Sequence, residues 1–183
     1  MVYFATRGGI QQFDGRNWNL AQGNGAVYSL QITAEGDLLW SGASGYGKLE
    51  THPDGTQAMV KFSGGDVREV FQSLVAQNQA YFLSEDALTV LDLKSLIPVT
   101  IQSTTLTGAF TGIFELFGSV YLNTQRGGVV KVENDKLVRS TLDLPESEEV
   151  IFSSGSEHAY LVGLSDNRSE EHTSELQSQN RIS

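Results

Sequence analysis

The chain has 183 residues, 39% of them hydrophobic, with 19 glycines, 3 prolines and no cysteine. That length supports a globular domain with its own core, and the lack of cysteine excludes a disulfide framework, a thiolate metal site and a cysteine nucleophile. The formal charge of −10 repels phosphate backbones and no basic stripe offsets it, so nucleic acid is not an expected partner.

No apolar run approaches the roughly 20 residues that span a bilayer. Met1-Val2-Tyr3-Phe4 leads almost at once into Arg7-Gly8-Gly9, without the order of a signal peptide. The chain as written is therefore expected to be soluble, with no membrane segment.

Taken in order, the sequence repeats itself. An aromatic or large apolar residue opens an inner strand at Tyr3 (YFATRGGI), Leu39 (LWSGASGYG), Tyr81 (YFLSEDAL), Tyr121 (YLNTQRGGV) and Tyr160 (YLVGLSDN), at spacings of 36, 42, 40 and 39 residues. In most copies a turn follows, then a short strand closed by an acidic residue, as in Ile10–Asp14, Leu88–Asp92 and Val129–Glu133. A preceding strand is predicted over Val27–Thr33, Val70–Ala76 and Phe110–Leu116, and an outermost one over Gln57–Phe62, Val99–Gln102 and Lys136–Ser140. The clearest unit is Val27–Glu50. There Tyr28, Leu30 and Ile32 alternate with Ser29, Gln31 and Thr33, Ala34–Asp37 turns, Leu38–Gly42 runs inward and Gly45-Tyr46-Gly47 breaks the run.

A period near 40 residues with four short strands per period is the mark of a β-propeller blade, and no segment has the 3.6-residue periodicity of a helical solenoid. The predicted fold is all-β: a partial propeller of about four blades of four-stranded antiparallel sheets over residues 1–167, incomplete at both ends. The first blade lacks its innermost strand and the fifth stops soon after Tyr160-Leu161-Val162. Open edges of this kind invite aggregation.

Composition changes at Arg168. The stretch RSEEHTSELQS, Arg168–Ser178, resembles the in-frame translation of a sequencing-adapter oligonucleotide, and Ile182-Ser183 fits its end. Residues 168–183 are expected to be a non-native, disordered tail. His172, the Glu170/Glu171 pair and the sequon Asn167-Arg168-Ser169 then carry no chemistry.

The candidate chemistry is sparse. His52 precedes a Pro53-Asp54-Gly55 turn and His158 precedes a strand. Neither has metal-ligand spacing, and loop positions explain them, although propeller lyases do use channel-mouth histidines. Asp143, Glu146, Glu148 and Glu149 lack the spaced ligands and turn glycine of a calcium loop. No serine has a nucleophile-elbow context, and Gly42, Gly45 and Gly47 lead to a strand rather than a helix N-terminus. Trp40 and most tyrosines read as packing between blades; Trp18 fits that reading less well. Two copies share Arg-Gly-Gly-apolar, at Arg7–Ile10 and Arg126–Val129. On equivalent turns, Arg7 and Arg126 would share one propeller face and could meet an anionic ligand; exposed turn residues are the plainer alternative. No catalytic residue, metal site or cofactor is expected.

The runs YFATRGGIQQFDGRNWNL and GAVYSLQITAEGDLLWSGASGYGKLE resemble the opening of the sensor domains called two-component regulator propellers. Leu38-Leu39-Trp40-Ser41-Gly42 stands where that family has its leucine-tryptophan strand, and Gly45-Tyr46-Gly47-Lys48-Leu49 resembles its glycine-aromatic-glycine variant. Asp66–Phe71 with Ala80-Tyr81-Phe82 is similar to the third blade of the subset carrying triple-tyrosine domains, whereas Tyr81–Ala87 departs from the pattern by lacking turn glycines. The resemblance implies a non-catalytic, ligand-binding fragment of a periplasmic or otherwise extracytoplasmic sensor. Its small-molecule or oligosaccharide ligand is unnamed, and its output domain is missing from this chain. A propeller scaffold for protein–protein contact, or a propeller lyase or hydrolase, remain the alternatives.

Overall fold

The computed structural model describes residues 1–21, 25–62, 68–126, 128–140 and 142, and the backbone of 148–155 and 160–166. Compact packing divides the chain into two units, Met1–Gln102 and Ser103–Ser183. All regular structure among the described residues is β, in five antiparallel sheets.

In the first unit, β1 (Val2–Thr6), β2 (Gly9–Phe13) and β3 (Trp18–Leu20) form a three-stranded sheet in chain order. The second sheet is β4 (Val27–Ile32), β5 (Leu38–Gly42), β6 (Gly45–Thr51) and β7 (Gln57–Lys61). The third is β8 (Gln72–Ala76), β9 (Gln79–Leu83), β10 (Ala87–Asp92) and β11 (Pro98–Gln102). The second unit holds β12 (Phe110–Leu116), β13 (Ser119–Thr124), β14 (Gly128–Glu133) and β15 (Lys136–Arg139), then the pair β16 (Glu148–Gly155) and β17 (Tyr160–Asp166).

The five anchors of the repeat fall in β1, β5, β9, β13 and β17: the second strand of each of the three four-stranded sheets, the first of the three-stranded one and the second of the β16–β17 pair. The first sheet thus has no counterpart of β4, β8 or β12. The structure departs from the sequence pattern in three places. The Gly45-Tyr46-Gly47 run belongs to strand β6 rather than breaking it, and the turn is Ala43-Ser44. The three exposed residues of β3 escape the period-2 pattern. In β4, Tyr28 and Ile32 are exposed and Val27 is buried, so the alternating apolar set is not the buried one. The reason is packing on both sides: β4 lies between β1 and β8, and its polar positions make the seam with β8. There Ser73 Oγ donates to Ser29 Oγ at 2.8 Å and Gln31 Nε2 donates to the Ser73 carbonyl at 2.9 Å.

Cores form between sheets rather than within them. Ile10 and Ala21 of the first sheet region meet Val27, Leu38 and Trp40 of the second, with Tyr3, Leu30, Leu49 and Met59 around them. Trp40 is 1% exposed and its indole N–H donates to the Lys48 carbonyl at 3.1 Å. On the other side of the second sheet, Leu39 and Tyr46 pack on Val70, Ala80, Phe82 and Leu91. The Tyr46 and Phe82 rings stack with centroids 4.2 Å apart. Tyr46 therefore packs between sheets as expected. Trp18 does not: it is 57% exposed, stacks on Phe13 and meets Phe4 at a tilt, both in its own sheet. In the second unit Phe114 and Tyr121 are cross-strand partners whose rings stack 5.5 Å apart, with Leu116, Val129 and Leu142 against them.

The tail at 168–183, its junction at Asn167, His158, His172, Asp143 and Glu146 lie outside the described residues, as do Gly127 and the Asp66-Val67 part of the third-blade motif.

Candidate functional site

Two places on the described chain gather polar side chains beyond what the strands need. Within the first unit they lie at opposite ends of the strands.

The first is the set of turns between the second and third strands of the repeat. Each takes the chain from one central strand to the next in two or three residues, so the hydroxyl that closes a strand can reach the carbonyl that opens the following one. Thr6 Oγ1 donates to the Gly9 carbonyl at 2.8 Å, Ser84 Oγ to the Ala87 carbonyl at 2.8 Å and Thr124 Oγ1 to the Gly128 carbonyl at 2.8 Å. This hydroxyl latch is the recurring element that pattern reading missed. A Ser or Thr at the end of β1 and β13 and just past the end of β9 was its visible signal; β5 ends in Gly42 instead. It also explains the copy without turn glycines: Ser84 closes the Ser84–Ala87 turn, whose backbone adds a Ser84 N–H bond to the Ala87 carbonyl at 2.8 Å.

Arg7 stands exposed on the first of these turns and Arg126 on the last, in different units. Equivalent turns hold them, but with one residue more after Thr124 than after Thr6. Arg126 is the better anchored. Its N–H donates to the Thr107 carbonyl at 3.0 Å, and its side-chain stem lies over Gly108, where an added Cβ would approach Arg126 Cγ to 3.1 Å. The turn between them in sequence carries the opposite charge: Asp86 pairs with Arg68 beside Glu85. Within the first unit this end of the sheets is therefore mixed in sign rather than basic.

The second place is a cavity of about 390 Å³ between the first and second sheets, lined by Tyr3, Gly36, Asp37, Leu38, Lys48, Leu49, Glu50, Thr51 and Gln57. Tyr3 comes from the start of β1, the others from the Gly36-Asp37 turn, the first residue of β5, the second half of β6 and the start of β7. From Tyr3 to Arg7 the strand covers roughly 13 Å, so cavity and arginine turn occupy opposite edges of the first sheet. Lys48 and Glu50 sit two apart on β6 and so on one face, and their Nζ–Oε1 distance is 2.8 Å. The Glu50 carboxylate bonded to it, with further field from Asp37, holds the Lys48 ammonium above its usual pKa. Gln57 Nε2 reaches Tyr3 Oη at 3.4 Å and Thr51 Oγ1 at 3.3 Å.

The remaining candidates have structural roles. His52 is an exposed turn residue whose backbone bonds to Thr56 and Gly55 close the β6–β7 connection. Trp40 is buried packing. Among the described residues no group of three His, Cys, Asp or Glu side chains is placed to hold a metal ion. No helix of the described chain is long and apolar enough to cross a membrane.

No protein-family model matches the chain, and no curated protein sequence matches it. Solved structures do. The extracellular domain of BT4673 from B. thetaiotaomicron, described once as a one-component and once as a hybrid two-component system, is 14% identical with a TM-score of 0.65. That match covers 88% of this chain and 24% of the longer one. The extracellular domain of BT3049, described as a hybrid two-component system of the same bacterium, is 12% identical with a TM-score of 0.56, covering 74% of this chain and 21% of the other. Virginiamycin B lyase from Staphylococcus aureus is 16% identical with a TM-score of 0.53, covering 77% of this chain and 49% of the lyase. The chain thus spans about a quarter of the BT4673 domain. At such identities the likeness carries the fold, all-β and of partial-propeller type.

Proposed function

We propose that this chain is part of the ligand-binding propeller of an extracytoplasmic sensor in a two-component-type signalling protein, and that it binds without catalysing a reaction. The carrying observation is the fold likeness to the BT4673 extracellular domain across 88% of the chain. The Leu38–Leu49 motif, which resembles the leucine-tryptophan and glycine-aromatic-glycine strands of two-component regulator propellers, supports the same reading independently of the coordinates. In that role residues 1–167 form the input piece, 168–183 are foreign to it, and the output domain lies in another part of the full-length protein. The genomic frame beyond Asn167 tests this. Further blades, a membrane helix and a kinase or DNA-binding region support it; a stop directly after the last blade overturns it.

Arg7 in the first unit and Arg126 in the second are each proposed, taken separately, as a contact for an anionic group, each able to offer two parallel N–H donors. Titration with inorganic sulfate reads them out. Arg7→Ala and Arg126→Ala are each expected to weaken binding about tenfold, since a hydrogen bond to a charged group is worth about 1.5–3 kcal/mol. Unchanged affinity in both variants removes both contacts.

The likeness to virginiamycin B lyase supports a second reading, a lyase, because a fold alone does not choose between binding and catalysis. It predicts turnover by the full-length protein that depends on channel-face histidines and carboxylates. A full-length protein with no turnover loss on their mutation ends that reading.

A further inference from the structure

We infer that β11, the outermost strand of the third sheet, pairs edge to edge with β11 of a second copy of this chain, joining the two about a two-fold axis. The inference stands apart from the sensor reading and uses neither the cavity nor the arginine turns.

β11 is the end strand of its sheet. It pairs with β10 on one side, and among the described residues no strand lies along its other edge. Three other sheets end in an equivalent strand, and each is blunted. β3 is three residues long, β7 ends in exposed Lys61, and β15 begins with exposed Lys136 and ends with exposed Arg139. Short length and charge are common protections of a sheet edge. β11 has neither: it runs over Pro98–Gln102, and no charged side chain occurs from Ser95 to Phe114. Val99, Thr100 and Ile101 are all β-branched and suit an extended strand.

The start of the strand is firmly held. The Leu96 N–H donates to the Asp92 carbonyl at 2.9 Å, and Asp92 Oδ1 accepts from the Lys94 and Ser95 N–H groups at 3.0 and 2.7 Å. Leu96 takes φ +55°, a left-handed conformation costly to a leucine, and it stands exposed beside exposed Ile97. The edge is thus presented ready-formed, and pairing orders little new backbone.

The residues of β11 suit a copy of themselves. In an antiparallel pair centred on Thr100, that residue faces Thr100 of the partner subunit, Val99 faces Ile101 of the partner subunit, and Pro98 faces Gln102 of the partner subunit. Threonine pairs and pairs of β-branched residues are favourable cross-strand neighbours. Charge points the same way. With a net charge of −10, two copies repel over most of their surface and least along this uncharged edge. A charged segment from another protein finds no counter-charge there. Because the axis is two-fold, pairing uses both free edges and closes at a dimer. About five residues a side is far below the roughly 800 Å² per partner of a standard interface, so the association is weak.

The test is sedimentation velocity of the whole chain from about 5 to 500 µM, where a dimer is expected to appear with a midpoint of about 100 µM. Thr100→Lys sets two ammonium groups opposite each other and is expected to weaken the dimer at least about tenfold. Leu20→Lys makes the same change of charge on the exposed face of the first sheet and is expected to leave the midpoint unchanged. Far-UV circular dichroism checks that both exposed substitutions keep the fold. A second readout uses the absence of cysteine: a single introduced thiol can cross-link only between copies. Directly opposed positions lie about 4.5–5.5 Å apart at Cβ, so Thr100→Cys is expected to oxidise to a disulfide-linked dimer at least about tenfold faster than Thr56→Cys on its exposed turn. A chain that stays monomeric at about 500 µM overturns the inference. So do assemblies that grow beyond the dimer, equal cross-linking at the two positions, and a dimer dissolved by Leu20→Lys but not by Thr100→Lys.

Discussion

Gly47 is, with Gly42, a position where one added methyl group would run into backbone. It sits in β6 opposite Lys61 of β7, and an added Cβ would lie 2.0 Å from the Val60 carbonyl oxygen and 2.8 Å from Lys61 Cα. Both neighbours are backbone, so no rotamer change relieves the overlap. Ordinary contact begins near 3.4 Å, which means β7 must retreat by more than 1 Å along this stretch. A retreat of that size breaks about two ladder hydrogen bonds, worth roughly 1 kcal/mol each, and adds overpacking strain of about 1–3 kcal/mol. Gly47→Ala is therefore expected to cost about 3–5 kcal/mol, a large share of the roughly 5–15 kcal/mol of a typical domain. The assay is urea unfolding followed by far-UV circular dichroism. The control is Gly55→Ala, in an exposed turn at φ +85° with nothing within 4 Å of the new methyl, where only left-handed backbone strain of about 1–2 kcal/mol applies. If Gly47→Ala costs no more than Gly55→Ala, the close approach of β7 is wrong.

Trp40→Phe removes the indole donor to the Lys48 carbonyl and part of a fully buried ring, so a loss of about 1–3 kcal/mol is expected in the same unfolding assay. Ser41→Ala is expected to act in the opposite direction. Among the described residues the Ser41 hydroxyl is buried without a hydrogen-bond partner, so its removal should leave stability equal or raise it by about 1 kcal/mol, and a clear loss would show a partner is present. Acid stability provides a third check. Asp14 is held below the usual carboxylate pKa by the Asn17 and Arg16 backbone N–H groups, Asp92 by Ser95, its largest cause, and Lys94, and Asp54 by Thr56. A depressed folded pKa contributes stability above the unfolded value near 3.8 that is lost as pH falls through the folded one, so thermal midpoints should drop below about pH 4. Asp14→Asn with Asp92→Asn keeps the side-chain acceptor but removes the titration, and is expected to flatten that limb. An unchanged acid limb would refute the assignment.

The repeat was legible because strands and turns impose different residue types at close spacing. The predicted strand over Phe110–Leu116 coincides with β12 residue for residue, and Val27–Thr33 overshoots β4 by one. Faces were harder to read than elements. In β4 the alternation of Tyr28, Leu30 and Ile32 points to one buried side, but a strand with neighbours on both sides half-buries its Ser29 and Gln31 too, through hydrogen bonds that no hydropathy pattern reports. Gly47 looked like a breaker because glycine is usually punctuation. Here its use is the missing side chain, a tertiary fact set by Val60 on the neighbouring strand. The acidic strand ends at Asp14 and Asp92 were visible, and the structure supplies their cause: each carboxylate caps the following turn, with Asp14 Oδ1 accepting from Arg16 N at 2.8 Å and Asn17 N at 2.7 Å. The cavity could not be read in advance, since Tyr3 and Gln57 meet only after folding.

The outer face of the first sheet has an optical consequence. Counting from the repeat anchors, Val2, Phe4, Phe13 and Trp18 occupy the positions that Leu38, Trp40, Leu49 and Met59 hold in the second sheet, where the first sheet covers them. The chain's only two tryptophans thus stand at neighbouring corners of the same repeated surface, one 57% exposed and one 1% exposed. Excited together, they emit from different surroundings: Trp40 from apolar packing at short wavelength, Trp18 from water at long wavelength and within reach of a soluble quencher. Whatever seats itself on the first sheet will dim the quenchable, red component and leave the blue one untouched. Loosening between the first two sheets will do the reverse. The protein therefore carries its own two-colour indicator, able to tell the arrival of a neighbour from the loss of its own packing without any label.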